Sequence, residues 1–488
     1  CCILCGFGNV SGQISTATLV GTVTDPSGAV VAGASVEAKN IGTSVTRATT
    51  TDASGEYTIP NLAASRYSVT VTMTGFKSFN VPQVELQVAQ RAVLNARLEV
   101  GTVGQELTVT AAPPMIDTAS SSVGQVVDTT AVEHMPLNGR SFWQLTALTP
   151  GATYTPGGQG TRTGGSSIRA TAVNVTINGA SSIATGWSLD GANITEMQIG
   201  GTLVQPNVDA IQEFKVESAN MPAEYGHTPT MINATLRSGS NEFHGTLFEF
   251  LRNSAFDARN FFYTPPQGST LTNEPLRRNQ YGFTVGGPIV KNKTFFFADL
   301  ERTNLRQGVD FNNVVPSLAM RTGDFSELLR AAKPLQLLDP LNRQPLAGNI
   351  VPLNRISSQA QFFLKYLPDP TLVLSGVSRA PVTNNLVQDA TRGDVRIDQQ
   401  ISRNTQLMGR YSINDNDEDD PNQFPALGAF PLHSRAQSAT MGVTHVVNSR
   451  WLTDARVSYY RSIFLFGGTL QGTNFNQEAG VQGFDDTT

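Results

Sequence analysis

The chain has 488 residues, 15% of them charged and 39% hydrophobic, with 44 Gly and 26 Pro. That length fits two to four domains, and the composition suits short strands and turns better than long helices. A net charge of −5 gives no reason to expect a nucleic-acid partner, which shows as a basic surplus. No run approaches the roughly 18 consecutive apolar residues of a spanning helix, which leaves open a membrane β-barrel, whose strands are short and only alternately apolar.

The opening CCILCGFG holds all three cysteines, Cys1, Cys2 and Cys5. Cys2 and Cys5 form a CxxC, but no second pair or histidine cluster completes a zinc site. With Ile3, Leu4 and Phe7 the segment reads as the tail of a secretory signal whose beginning is missing, and residues 1–17 are assigned to that tail and a leader.

Residues 18–100 alternate. Asp25-Pro26-Ser27-Gly28 and Asp52-Ala53-Ser54-Gly55 carry turn chemistry. Ala34, Val36 and Ala38 face one way; Tyr67, Val69, Val71 and Met73 form a second such row, and Ala92, Leu94, Ala96 and Leu98 a third. Period-two runs at regular spacing predict an antiparallel β-sandwich. The stretches GTVTDPSGAVVAGASV and DASGEYTIPNLAASRYSVTVTMTGF resemble the carboxypeptidase regulatory-like domain, a transthyretin-like sandwich. The resemblance does not imply a peptidase, because none of the five histidines, His134, His227, His244, His433 and His445, begins an HxxE or HExxH motif. Related sandwiches are grouped with carbohydrate-binding folds, but no aromatic platform for a sugar is evident.

In the junction 101–114, ELTVTAAPP follows the sandwich. Glu106, Leu107, Thr108, Val109, Thr110 and Ala111 are β-prone, while Pro113 and Pro114 keep the segment from sitting deep in a sheet.

Residues 115–240 predict a compact α/β domain: a short helix at 142–148 and strands at 173–177, 187–189, 211–217 and 231–236, with Asn178-Gly179 and Asp190-Gly191 as turn dipeptides. GGQGTRTGG at 157–165 lacks the GK[ST] ending of a phosphate cradle and reads as a flexible loop. Three stretches, HMPLNGRSFWQLTALTPG, the segment around Asp190-Gly191, and IQEFKVESANMPAEYGHTPTMINATLRSGSN, resemble the plug of TonB-dependent outer-membrane transporters, in particular the Oar-like group. The residues that carry the likeness are Asn138, Gly139, Arg140, Asp190, Gly191, Ile211, Glu213, Phe214, Tyr225 and Gly226. Where that family usually has a Gly pair, Pro229-Thr230-Met231 precede Ile232-Asn233, a departure that bears on the local turn.

Residues 241–488 contain seven candidate strands: HGTLFEFLRN, NQYGFTVGGPI, KTFFFADLERTNLR, GDVRIDQQI, NTQLMGRYSIN, AQSATMGVTHVV and RWLTDARVSYYRS. Long and short connections alternate between them, with the longest excursion from Gln307 to Arg392. Tight turns at one end and large loops at the other are the pattern of an outer-membrane barrel. In the last strand Trp451, Thr453, Ala455, Val457 and Tyr459 share one face, and Tyr459, Tyr460, Phe464 and Phe466 suit an interfacial aromatic girdle. The acidic run 415–420 lacks the Gly and Glu of a calcium loop and reads as a solvated loop. Arg392-Gly393-Asp394, a tripeptide that recurs by chance, opens a strand. Seven strands cannot close a barrel around a plug; the resemblance implies about 22, so a fragment truncated at both ends is expected.

The expected fold is therefore mainly β: a transthyretin-like sandwich, a small α/β plug and an incomplete antiparallel transmembrane barrel. The resemblance places a TonB box at the junction. On that reading the strand 106–111 is unpaired and free to add to the sheet of the periplasmic C-terminal domain of TonB. The alternative is that it is the last strand of the sandwich, or a plain linker. The expected function is TonB-dependent transport of an unidentified substrate across the bacterial outer membrane, with sandwich and TonB box in the periplasm. Outer-membrane lipid and an extracellular ligand are the other expected partners. The rival is a surface-binding or adhesion protein without energised transport, with sugar binding through the sandwich as one form of it. No nucleophile, base and metal constellation assembles, so no enzyme, cofactor or metal is expected.

Overall fold

The computed structural model describes residues 16–101, 106–108, 123–155, 174–180, 184–195, 202, 204–219, 228–259, 261, 273–331, 333–448, 451–468, 470 and 473–483. The first part is a sandwich of nine strands: β1 (Ala17–Thr24), β2 (Ser35–Asn40), β3 (Thr46–Thr50), β4 (Glu56–Leu62), β5 (Ser65–Thr72), β6 (Ser78–Leu86), β7 (Arg91–Val93), β8 (Ala96–Arg97) and β9 (Glu106–Thr108). One sheet runs β4-β1-β7 with β8 also on β1; the other runs β3-β2-β5-β6-β9. The alternating rows read from the sequence turn inward: Val36, Val69, Val71, Leu94 and Leu98 are all buried. Both Asp turns form as their chemistry demands, with the Asp25 carboxylate accepting the N–H groups of Ser27 and Ala29 at 2.8 and 2.9 Å.

The sandwich is not wholly antiparallel. β1 pairs in parallel with β7 and β8, and β6 in parallel with β9. Each pair joins strands separated by a crossing between sheets, and only a crossing lets a strand return in the same direction as its neighbour.

The plug holds β10 (Val123–Val127), β11 (Ala152–Thr155), β12 (Asn174–Ile177), β13 (Thr185–Leu189), β14 (Ala192–Asn193), β15 (Ile211–Ala219) and β16 (Thr230–Leu236). Five of them form a sheet in the order β10-β15-β16-β13-β14. The expected helix is a 3₁₀ helix, Phe142–Leu148. Its Phe142 and Trp143 pack on Phe214 and Trp187, with ring centroids 5.6 and 4.3 Å apart. Thr230 is already in strand, so the Pro229 departure falls at the mouth of β16 and leaves the strand intact.

The wall consists of β17 (His244–Asn253), β18 (Leu276–Val290), β19 (Thr294–Val314), the short β20 (Leu372–Leu374), β21 (Val377–Ser402), β22 (Thr405–Asp420), β23 (Phe430–Asn448) and β24 (Trp451–Phe466). Its long strands pair antiparallel in chain order. Residues 291–293 and 403–404 make tight connections at one end, where β23 and β24 also pair out to Asn448 and Trp451; the longer connections follow β17, β19 and β22 at the other end. The sheet does not close on itself among the described residues.

Four expectations for the wall need correction. The excursion after Gln307 shrinks, because β19 and β21 stay paired out to Val314 and Arg379. The acidic run 415–420 is the end of β22, not a loop: β23 supplies the side-chain partners, with Arg435 on Asp415 at 2.7 Å and His433 on Asp417 at 2.7 Å. Arg392-Gly393-Asp394 lies in mid-strand, and buried Asp394 accepts the Ser412 hydroxyl. Finally, Tyr460 and Phe464 turn inward and pack against the plug core, while Phe466 stacks on Phe464 at 5.2 Å. Successive side chains in a strand point to opposite faces, so of the four girdle candidates only Tyr459 shares the outer face with Trp451 and Val457.

Candidate functional site

The plug is seated against the inner face of the wall by charge as well as by apolar packing. Phe297 and Ala436 of the wall join the plug's hydrophobic core. Around that contact lie buried ions. Asp190 and Gly191 both take positive φ, 50° and 76°, in the tight turn between β13 and β14. That geometry, which an Asp-Gly pair adopts at little cost, carries the Asp190 carboxylate to the wall. There Arg396 donates to it at 2.9 Å, and the Arg410 guanidinium lies 3.4 Å away. Arg396 is held in turn by Asp398 at 2.9 Å and by the Leu236 carbonyl at 2.9 Å. Arg410 donates to Ser412, Ser438 and Thr440 at 2.7, 3.0 and 2.8 Å. Each of these ions is paired, the first condition under which burial of charge is tolerated, although Asp190 Oδ2 and Arg410 Nε face each other without a hydrogen bond among the described residues.

A second clamp comes from Asn138-Gly139-Arg140. Arg140 pairs with Asp209 of the plug and, at 3.0 Å, with Glu301 of β19. Its guanidinium also lies over Phe248 and Phe250 of β17, 4.5 and 4.3 Å from the ring centroids. Arg278 donates to the Asn138 side chain at 2.9 Å, and Gln280 to the Gly139 carbonyl at 3.2 Å. Nearby, Asn207 donates to Asp299 at 2.8 Å.

The plug's other surface meets the sandwich. On β15, Ile211 and Phe214 are buried in the plug core, whereas Glu213 accepts the backbone N–H of Val88. Burial pushes the Glu213 carboxyl up to about 8, with Glu85 and Asp128 adding to the effect. Lys215 donates to the Ala89 carbonyl at 3.2 Å. The sandwich also touches the tight-turn end of the wall: Arg47 donates to the Arg403 carbonyl at 3.1 Å and to Gln406 at 3.3 Å, and Asn61 to Asp454 at 3.3 Å. The Asn241 N–H reaches the Gly42 carbonyl at 2.9 Å. The sandwich thus lies across the mouth of the wall where the tight turns are.

The junction strand does not hang free. Glu106–Thr108, as β9, pairs with β6, so the expectation of an unpaired strand is corrected for these three residues. A β-prone segment leaving the sandwich beside an open sheet edge satisfies its backbone there. Val109, Thr110, Ala111, Tyr225, Gly226 and the Gly-rich 157–165 lie outside the described residues.

Of the candidates read from the sequence, Asn138, Gly139, Arg140 and Asp190 meet the wall, Gly191 shapes the turn that presents Asp190, and Glu213 meets the sandwich; Ile211 and Phe214 serve the core. Sequence reasoning missed their wall partners Arg396, Arg410 and Glu301, and Asp398 beside Arg396. A charged residue on the inward parity of a barrel strand was the available signal.

The chain was compared with known proteins. Residues 235–488 match the family model of the outer membrane beta barrel domain, and residues 18–99 that of the carboxypeptidase regulatory-like domain. Over 295 residues the chain is 28% identical to the TonB-dependent transporter Oar of Myxococcus xanthus, covering 58% of this chain and 26% of that protein. The chain therefore spans about a quarter of the length of this curated relative. Among solved structures it is similar to the outer membrane transporter YddB of Escherichia coli, with 10% identity, a TM-score of 0.43 and coverage of 69% of this chain and 38% of the other. A ferric enterobactin receptor variant of Pseudomonas aeruginosa in complex with enterobactin shows 12% identity, a TM-score of 0.38 and coverage of 71% and 42%.

Proposed function

Because the chain belongs to the outer membrane beta barrel domain family and is similar to the TonB-dependent transporter Oar, we propose that it performs TonB-dependent active transport of a substrate across the outer membrane. In this reading residues 18–100 are a periplasmic sandwich, 101–114 the coupling junction, 115–240 the plug and 241–488 the first part of the barrel. TonB adds a strand to 106–111, and tension on that strand draws the plug from its seat. The observation that carries the reading is the seat itself: Asp190 between Arg396 and Arg410, and Arg140 between Asp209 and Glu301. Besides the apolar contact through Phe297 and Ala436, these ions hold the plug, and water can re-solvate each charge as plug and wall part.

The test is a titration of the detergent-solubilised full-length protein with the purified C-terminal domain of TonB. Saturable binding is expected, lost on deletion of Glu106 to Ala111. Equal binding by the deletion variant removes the mechanism. A surface-binding role without energised transport draws on the segment 315–376 at the loop end, where Leu341 and Leu353 are 85% and 67% exposed; absence of any TonB binding would favour it.

A further inference from the structure

β9 is the outermost strand of the sheet β3-β2-β5-β6-β9 and runs parallel to β6, with Ser78 opposite Glu106, Phe79 opposite Leu107 and Asn80 opposite Thr108. The route into it is held firmly. Lys77 donates its N–H to the Glu99 carbonyl at 2.8 Å, Phe76 bridges to Val100, and the Gly101 N–H reaches the Gly75 carbonyl at 3.2 Å. The chain is therefore delivered to the open side of β6. We propose that this edge of the sandwich is an internal docking site for the coupling strand, which parks residues 106–108 and competes with TonB for their main-chain hydrogen bonds.

The inference rests on the reading of 106–111 as the coupling strand and adds the sandwich as its antagonist. Three features fit parking rather than permanent incorporation. Among the described residues the pairing is parallel, and parallel pairing is slightly weaker per residue than antiparallel. β6 is independently secured, antiparallel to β5 from Ser65–Leu86 to Val71–Phe79, so the edge persists when β9 leaves. Departure also exposes that edge, and an open edge recaptures a β-prone segment tethered beside it. A partner that needs the released strand sees only the free fraction, and its apparent affinity falls by that fraction. Among the described residues nothing pairs with the other side of β9, so TonB joining that side without displacement is the competing outcome.

The experiment uses the full-length protein with Cys1, Cys2 and Cys5 replaced by Ser and with Asn80→Cys and Thr108→Cys introduced at register partners. The probe is the TonB C-terminal domain. A disulfide across the pair is expected to weaken binding at least tenfold and reduction to restore it, while a free peptide of residues 106–111 binds several-fold more tightly than the reduced chain. Equal binding by oxidised and reduced protein overturns parking and assigns TonB to the other edge. If the peptide and the reduced chain both fail to bind, the coupling-strand reading fails and parking falls with it. Hydrogen exchange on the unmodified protein gives a second readout: amides along the β6 edge near Asn80 exchange faster when the TonB domain is added. Unchanged exchange at saturation counts against displacement.

Discussion

Glu213 occupies the contact between two folded units, so its protonation is tied to their docking. Buried against Val88 its carboxyl rises to about 8, from an ordinary value of 4.5 in water. The docked state therefore holds a proton that the separated state releases. Docking is strongest below about pH 4.5 and weakens as pH rises through 8, by about 1.4 kcal/mol per pH unit inside that window. Glu85, Asp128 and Lys215 face the same contact, and the two acids reinforce the trend. Fluorescence energy transfer between dyes on sandwich and plug, followed in urea, is expected to show this slope. Glu213→Gln keeps an acceptor for the Val88 N–H and flattens it.

Asp190 gives a second case at the same scale. Asp190→Asn preserves the left-handed turn, since Asn adopts positive φ nearly as well as Asp, and removes only the charge. Loss of one partner from a buried pair costs about 3–5 kcal/mol. The lower end is expected here, because Arg410 keeps three hydroxyl partners and Arg396 keeps Asp398. The urea midpoint for release of the plug measures it. Both turn motifs were legible in the sequence because Asn-Gly and Asp-Gly dictate a backbone shape. Their partners were not, because an arginine facing a barrel lumen and one facing water look alike until a strand's neighbours are known.

Among the elements, strand identity was legible and strand extent was not. All seven long strands of the wall were named from the sequence, several of them by legible alternation, yet β21 begins at Val377, well ahead of the GDVRIDQQI read there. Beyond the lipid a strand no longer needs apolar side chains, and polar residues such as Asp415 and Asp417 continue it through cross-strand pairs. The same parity rule sorts the outer face. Leu300, Val395, Ile397, Val457 and Tyr459 are all at least 41% exposed and point away from the plug. Leu300→Arg is therefore expected to cost about 2–4 kcal/mol in the bilayer, the range for a cation near the midplane of a barrel's lipid face. An equivalent charge at inward Thr303 costs far less. Folding midpoints in phospholipid vesicles distinguish the two.

At the scale of the whole molecule, the sandwich and the tight turns lie at one end and the large excursions at the other. The plug chain leaves for the wall at that same end: Gly239 passes so close to β18 and β19 that a Cβ there would lie 2.3 Å from the Phe296 carbonyl oxygen. Asn241 then bonds Asn292 in the first tight turn at 2.8 Å. One end must face the periplasm, and sandwich, plug entry and tight turns go there together. An epitope inserted at Asn342, in the excursion 315–376, is expected to be reached by antibody on intact cells. The same epitope between Arg403 and Asn404 is expected to stay hidden until the outer membrane is permeabilised. Exchange of the two results would invert the orientation and put the sandwich outside the cell, where neither TonB nor its pull could reach the junction strand.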